Sequence, residues 1–176
     1  MSLQDFATSG LEQVPGLLFV DHIAIAVFPG ELEGQVAAYT ALGFRELHRE
    51  EMRGRDQVRE VLLQIGNSPN LIKLLEPTSP DSPAQKQIDR NGGRGGVAHV
   101  GFRVQDAQVA FDWFRENGFR VVDEAPRPGS RGTTVFFIHP KSKDDSPFGI
   151  LYEIVEESND PQKSHAFLVQ RRRSQP

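Results

Sequence analysis

Four positions set a polar side chain inside otherwise apolar strand-like runs: His22, Lys73, His99 and Glu153. A buried polar group has to find a partner, so a fold that converges these four builds a site. Two imidazoles and a carboxylate are an open ligand set for a divalent metal, with the remaining coordination positions left to water or substrate. His22, His99 and Glu153 are therefore candidate ligands. Glu60 is a further carboxylate, sharing one face of the run Val58–Ile65 with Val58 and Leu62. His48, His139 and His165 have no such support and read as structural or surface residues.

What ties the four positions together is a weak internal repeat, the first thing to seek in a sequence. Asp21–Val27 matches Ala98–Val104, with His22 and His99 at equivalent places 77 residues apart. Leu42–Arg45 matches Asn117–Arg120 at an offset of 75, and Leu71–Glu76 echoes Leu151–Glu156 at an offset of 80. Three matches in one order make each half a similar supersecondary unit. The last of them makes Lys73 and Glu153 equivalent.

Each half reads as β-α-β-β-β. The runs around His22 and His99 alternate small and branched residues, a strand signal. The first helix is expected at about Glu31–Leu42, ending at Gly43. In the second, Asp106 is the N-cap, Ala107, Ala110, Phe111 and Phe114 form the apolar face, and Gly118 follows as the C-terminal glycine. Further strands are expected at Phe44–Glu51, Val58–Ile65 and Leu71–Glu76, then at Phe119–Glu124, Thr133–His139 and Gly149–Glu156. The linker Pro77–Gly96 carries a short helix at Pro83–Arg90, and Pro126–Gly132 and Lys141–Pro147 read as turns. The fold class is α+β: paired β-α-β-β-β units forming a curved mixed sheet with a central cleft. The single domain spans 17–157, with modules at about 20–77 and 97–156. Residues 1–16 are an N-terminal extension and 158–176 a flexible tail that holds Arg171-Arg172-Arg173.

Composition narrows the chemistry. The chain has 176 residues, 38% hydrophobic and 25% charged, ordinary for one globular domain. A net charge of −4 argues against a whole-protein nucleic-acid footprint. With no Cys, disulfides, thiolate metal sites and a Cys nucleophile are excluded. No apolar run reaches the roughly 18 residues of a membrane span, and no secretory signal is visible. The expectation is a cytoplasmic protein with neither nucleic-acid nor membrane partner.

The chain resembles the vicinal oxygen chelate superfamily, the glyoxalase/bleomycin-resistance-like fold, and within it the methylmalonyl-CoA epimerases. The stretches that carry the resemblance are Asp21–Val27, Val58–Leu63, Leu74–Pro83, Gly96–Val100, Glu124–Gly129, His139–Ser142 and Leu151–Glu156. The two His stretches are general to the superfamily. Leu-Leu-Glu-Pro at 74–77, Pro-Arg-Pro-Gly at 126–129 and His-Pro-Lys-Ser at 139–142 are more specific to the epimerase group. The resemblance implies metal-ligand positions at His22, Lys73, His99 and Glu153, and an acid/base pair at Glu60 and Glu153. It also implies an acyl-CoA substrate, a divalent metal (Co, Mn, Fe, Ni or Zn) and a homodimer.

The implied reaction is proton exchange at the carbon between a thioester and a carboxylate. One Glu removes the proton, the other returns one on the opposite face, and a divalent cation stabilises the enolate. Lys73 departs from the family, which has Gln or Glu there; a protonated ammonium has no acceptor. The metal then stays on His22, His99 and Glu153, or Lys73 itself supplies the positive charge, or the chain serves a related reaction or only binds. Ala98, where the family often has another His, and the inserted turn Lys143–Pro147 are further departures. The alternatives are another metal-dependent member of the superfamily, such as an iron dioxygenase using His22, His99 and Glu153, or a non-catalytic small-molecule-binding protein. Arg127, Arg131, Lys141 and Lys143 are basic loop candidates for the CoA phosphates.

Overall fold

The computed structural model describes residues 11–141 and 149–170. They divide into two compact units. The first comprises Asp21–Val100 and the segment from Ser158; the second comprises the residues up to Val20 together with Gly101–Glu157. Two strands, β1 (Leu17–Ala26) and β5 (Gly96–Val104), contribute residues to both.

In the first unit β1 leads into helix α1 (Leu32–Ala41), then β2 (Phe44–Met52), β3 (Val58–Ile65) and β4 (Leu71–Pro77). Helix α2 (Pro83–Arg90) leads to β5. The strand order is β2-β3-β4-β1-β5. β1 and β4 are parallel, pairing His22 with Leu71 and Ala24 with Lys73. β3 runs antiparallel to β4, setting Leu62 opposite Lys73 and Glu60 opposite Leu75. Side chains alternate along a strand, and directly paired residues share a face. His22, Ala24, Lys73, Leu62 and Glu60 therefore lie on one face of this sheet. The other face carries Val61, Leu63 and Leu74, buried with Val27 and with Leu32 of α1. The limits of α2 follow from its start: Ser82 Oγ accepts from Ala84 N–H, with Pro83 as first helical residue.

In the second unit helix α3 (Ala107–Glu116) follows β5, and β6 (Arg127–Pro128), β7 (Thr134–Ile138) and β8 (Leu151–Glu156) complete the order β1-β5-β8-β7-β6. Asp106 caps α3 by accepting from Val109 N–H. The face Ala107, Ala110, Phe111 and Phe114 is buried against Phe136, Ile138 and Ile154. Edge-to-face contacts such as Phe111–Phe136 order the rings.

The repeat has a structural expression. Glu76 Oε1 accepts from Gly30 N–H at 2.6 Å and Leu32 N–H at 3.2 Å, so it closes the N-terminus of α1. Glu156 Oε2 accepts from Ala107 N–H at 2.8 Å and does the same for α3. A carboxylate at a helix N-terminus satisfies orphan donors and meets the positive end of the dipole. Glu76 is also paired with Arg59.

Three expectations differ. The strand expected at Phe119–Glu124 is reduced to a single bridge between Val121 and Ile138. Its ladder is cut because the buried Asp123 carboxylate takes the Phe137 N–H at 2.8 Å and holds Arg127 at 3.0 Å. The turn expected at Pro126–Gly132 instead holds the short β6 and a 3-10 turn at Ser130–Gly132. Both ends of the domain are built in further than expected. Leu11–Gln13 form a 3-10 turn and Val14 joins the α3 core. The expected flexible tail contains helix α4 (His165–Gln170), with Leu168 packed on Leu62 and Leu71 of the first unit. Residues 1–10 and 171–176, with the arginine run, lie outside the described residues, as do Lys143 and most of the turn expected at Lys141–Pro147.

Candidate functional site

His22 and His99 sit on β1 and β5, and both are buried. Their Nε2 atoms are 3.1 Å apart, with the rings edge to face at 5.3 Å. His22 Nδ1 lies 2.7 Å from Asp21 Oδ2. A carboxylate accepts, so the hydrogen-bond network assigns the proton to Nδ1 and leaves the Nε2 lone pair directed at His99. Asp21 is buried in turn and also lies 2.9 Å from His165 Nδ1, while His165 Nε2 donates to Pro69 O at 2.6 Å.

On the same sheet face, β3 and β4 place Glu60 and Lys73. Both side chains are buried, with Nζ 3.9 Å from Glu60 Oε2. Glu60 Oε1 is buried with no hydrogen-bond partner. A buried carboxylate oxygen without a protein partner is costly unless substrate or water completes its bonding. At the neighbouring register position Glu50 stands opposite Glu60 and bonds His48 Nε2 at 3.1 Å.

The predicted site residues thus form two groupings in the first unit, His22 with His99 and Glu60 with Lys73. Glu153 lies in the second unit, on β8 opposite Phe137, and is buried. His139 Nδ1 accepts from Lys141 N–H and shapes a turn. Arg127, a basic loop candidate, is held by Asp123. Two residues escaped the sequence reading. Asp21 had only its place beside His22 to mark it. His165 was read as structural or surface, and nothing near it in sequence signals its contact with Asp21.

The imidazole pair suits a metal ion. Two nitrogens bound to one cation at about 2.1 Å and roughly a right angle lie about 3 Å apart, close to the observed 3.1 Å. The Asp21–His22 bond is the kind of outer contact that fixes a ligand imidazole. Lys73, with donors only, adds no ligand. Among the described residues no helix is long and apolar enough to cross a membrane.

Comparison with known proteins agrees with this architecture. Residues 21–137 match the Glyoxalase/Bleomycin resistance protein/Dioxygenase superfamily, and the chain belongs to that family. Its relatives include the ethylmalonyl-CoA/methylmalonyl-CoA epimerase of Cereibacter sphaeroides, 31% identical over 123 residues, covering 69% of this chain and 88% of the relative. The crystal structure of methylmalonyl-CoA epimerase from Mycobacterium tuberculosis is similar with a TM-score of 0.73 and 29% identity, over 86% of this chain and 94% of that one. A methylmalonyl-CoA epimerase in complex with methylmalonyl-CoA and an ammonium ion has a TM-score of 0.71 and 34% identity, over 81% and 96%.

Proposed function

We propose that this chain epimerises methylmalonyl-CoA or a related 2-substituted malonyl thioester by proton exchange at C2. The observation that carries the reading is Glu60: a buried carboxylate with one oxygen unbonded, on the sheet face that also bears His22 and Lys73. Glu60 takes the C2 proton from one face of the substrate and Glu153 returns a proton to the other. Each alternates between base and acid as the direction reverses. His22 and His99 supply two nitrogens for a divalent cation, and the family resemblance adds Glu153 as its third ligand. When bound, the cation supplies Lewis-acid stabilisation of the enolate oxygen. Lys73 adds a fixed positive charge beside Glu60, oriented before the reaction begins. The activity named for the relatives supports the thioester substrate, and an acyl-CoA partner and a homodimeric assembly are proposed on the same family ground.

Deuterium wash-in at C2 of methylmalonyl-CoA tests this, with and without divalent cobalt, in wild type and Glu60→Ala. Exchange above background that Glu60→Ala abolishes is expected. Stimulation by cobalt and loss with chelator assign the electrophile to the metal centre; indifference to both assigns it to Lys73. Absence of exchange in wild type under every condition overturns methylmalonyl-CoA as the substrate.

A further inference from the structure

We infer that His165, on the C-terminal helix α4, is a positioning residue that sets the tautomer and direction of His22 through Asp21. This deepens the reading of His22 as a metal ligand and rests on it. The chain of contacts lies wholly within the first unit. Asp21 presents Oδ2 to His22 Nδ1 at 2.7 Å and Oδ1 to His165 Nδ1 at 2.9 Å. A hydrogen bond at one oxygen and a charge contact at the other limit the freedom of the carboxylate to rotate away from the imidazole it orients. His165 is itself fixed, because Nε2 donates to Pro69 O at 2.6 Å on the segment leading into β4.

The helix that carries His165 is anchored on the same structure. Leu168 packs on Leu62 and Leu71, which stand opposite Lys73 and His22 in the strand register. Arg45 donates to Val169 O at 3.0 Å, and Ser164 Oγ accepts from Phe167 N–H at 3.1 Å at the start of α4. All three residues of the relay, His165, Asp21 and His22, are almost fully buried. Each held link therefore acts in a poorly screened environment, where orientation is transmitted rather than averaged by water. α4 lies beyond the 21–137 stretch that matches the superfamily, so this support is supplied by a segment the family match does not include.

Two substitutions separate the two ends of the imidazole. Asn places its amide nitrogen near the position of Nδ1, so His165→Asn keeps a polar nitrogen beside Asp21 and drops Pro69. Gln reaches toward Nε2, so His165→Gln keeps Pro69 and drops Asp21. The experiment measures cobalt affinity by calorimetry in the full chain, together with the His22 ring tautomer by nitrogen-15 NMR of the metal-free protein at one fixed pH. His165→Ala and His165→Gln are expected to weaken cobalt binding by roughly 10- to 100-fold, the range for loss of an outer contact to a metal ligand. Both should also lower the Nδ1–H population of His22, while His165→Asn stays close to wild type in both readouts. Equal losses in the Asn and Gln variants at matched unfolding midpoints, or no change in His165→Ala, overturn the inference. If wild type binds no cobalt, the metal centre proposed above fails and the tautomer decides: a shift in Ala and Gln but not Asn sustains the positioning role, and an unchanged tautomer ends it.

Discussion

The buried pair Glu60–Lys73 gives a prediction that separates stability from chemistry. Nζ and Oε2 are 3.9 Å apart with both side chains nearly inaccessible. At an effective dielectric of about 20, opposite charges at that distance attract by about 4 kcal/mol. Each charge has also lost much of its hydration, so Glu60→Gln or Lys73→Met alone removes one member of a buried pair. Breaking a buried pair in this way costs about 3–5 kcal/mol. Since the pair is too long for a hydrogen bond, the lower end, about 3 kcal/mol, is expected for each single change. Removing both charges leaves neither without the other, so the double variant should recover about 2–4 kcal/mol of the summed losses. Urea unfolding of the four proteins, with slopes checked for constancy, measures the cycle. C2 deuterium exchange is followed in parallel and should fall by about 10²–10⁴ in both the Glu60→Gln and double variants, because stability returns without the base. Additivity within about 0.5 kcal/mol would show that the two charges do not interact and refute the electrostatic reasoning. Undiminished exchange in Glu60→Gln would remove Glu60 from the reaction.

Two further outcomes follow from the framework around the site. Glu76→Ala leaves the first-turn donors of α1 open and Arg59 unpaired, and should lower stability by about 1–3 kcal/mol; Glu156→Ala should do the same for α3 with a smaller loss, since one donor rather than two is freed. Thermal unfolding checks both, and equal or absent losses count against the clamp. Gly95→Ala would set a Cβ 2.5 Å from the backbone oxygen of Ala26, which cannot yield as a side chain can, so a loss of about 1–3 kcal/mol or more is expected from the overpacking and read in the same way.

The parts of the fold legible in the sequence are those decided locally. Val58–Ile65 and Pro83–Arg90 have the limits their patterns predict, because alternation and a Ser82-Pro83 start act over a few residues. Phe119–Glu124 has strand-like residues, yet the Asp123 carboxylate replaces the ladder bond to Phe137, a competition that β-propensity does not contain. α4 is too short to be stable alone; it exists because Leu168 meets Leu62 and Leu71, a contact distant in sequence. The same distinction divides the site. The repeat pointed to His22 and His99, and family resemblance gave Glu60 its role. That Glu60 is buried with an unbonded oxygen, and that His165 reaches Asp21, are facts of packing alone.

The repeat also indicates where the two halves have been put to different use. Glu76 and Glu156 occupy matching places and do the same work at the N-termini of α1 and α3. Three residues earlier, the equivalent pair is Lys73 and Glu153, a cation and a carboxylate, both buried. A structural requirement common to both units holds the first pair alike, because each helix has the same orphan donors to satisfy. At the second pair either sign of charge is costly to bury. The proposed reaction gives the asymmetry at 73 and 153 a chemical reading. Under the proposed reaction Lys73 supplies a positive charge beside Glu60, and Glu153 serves the cation and the returning proton.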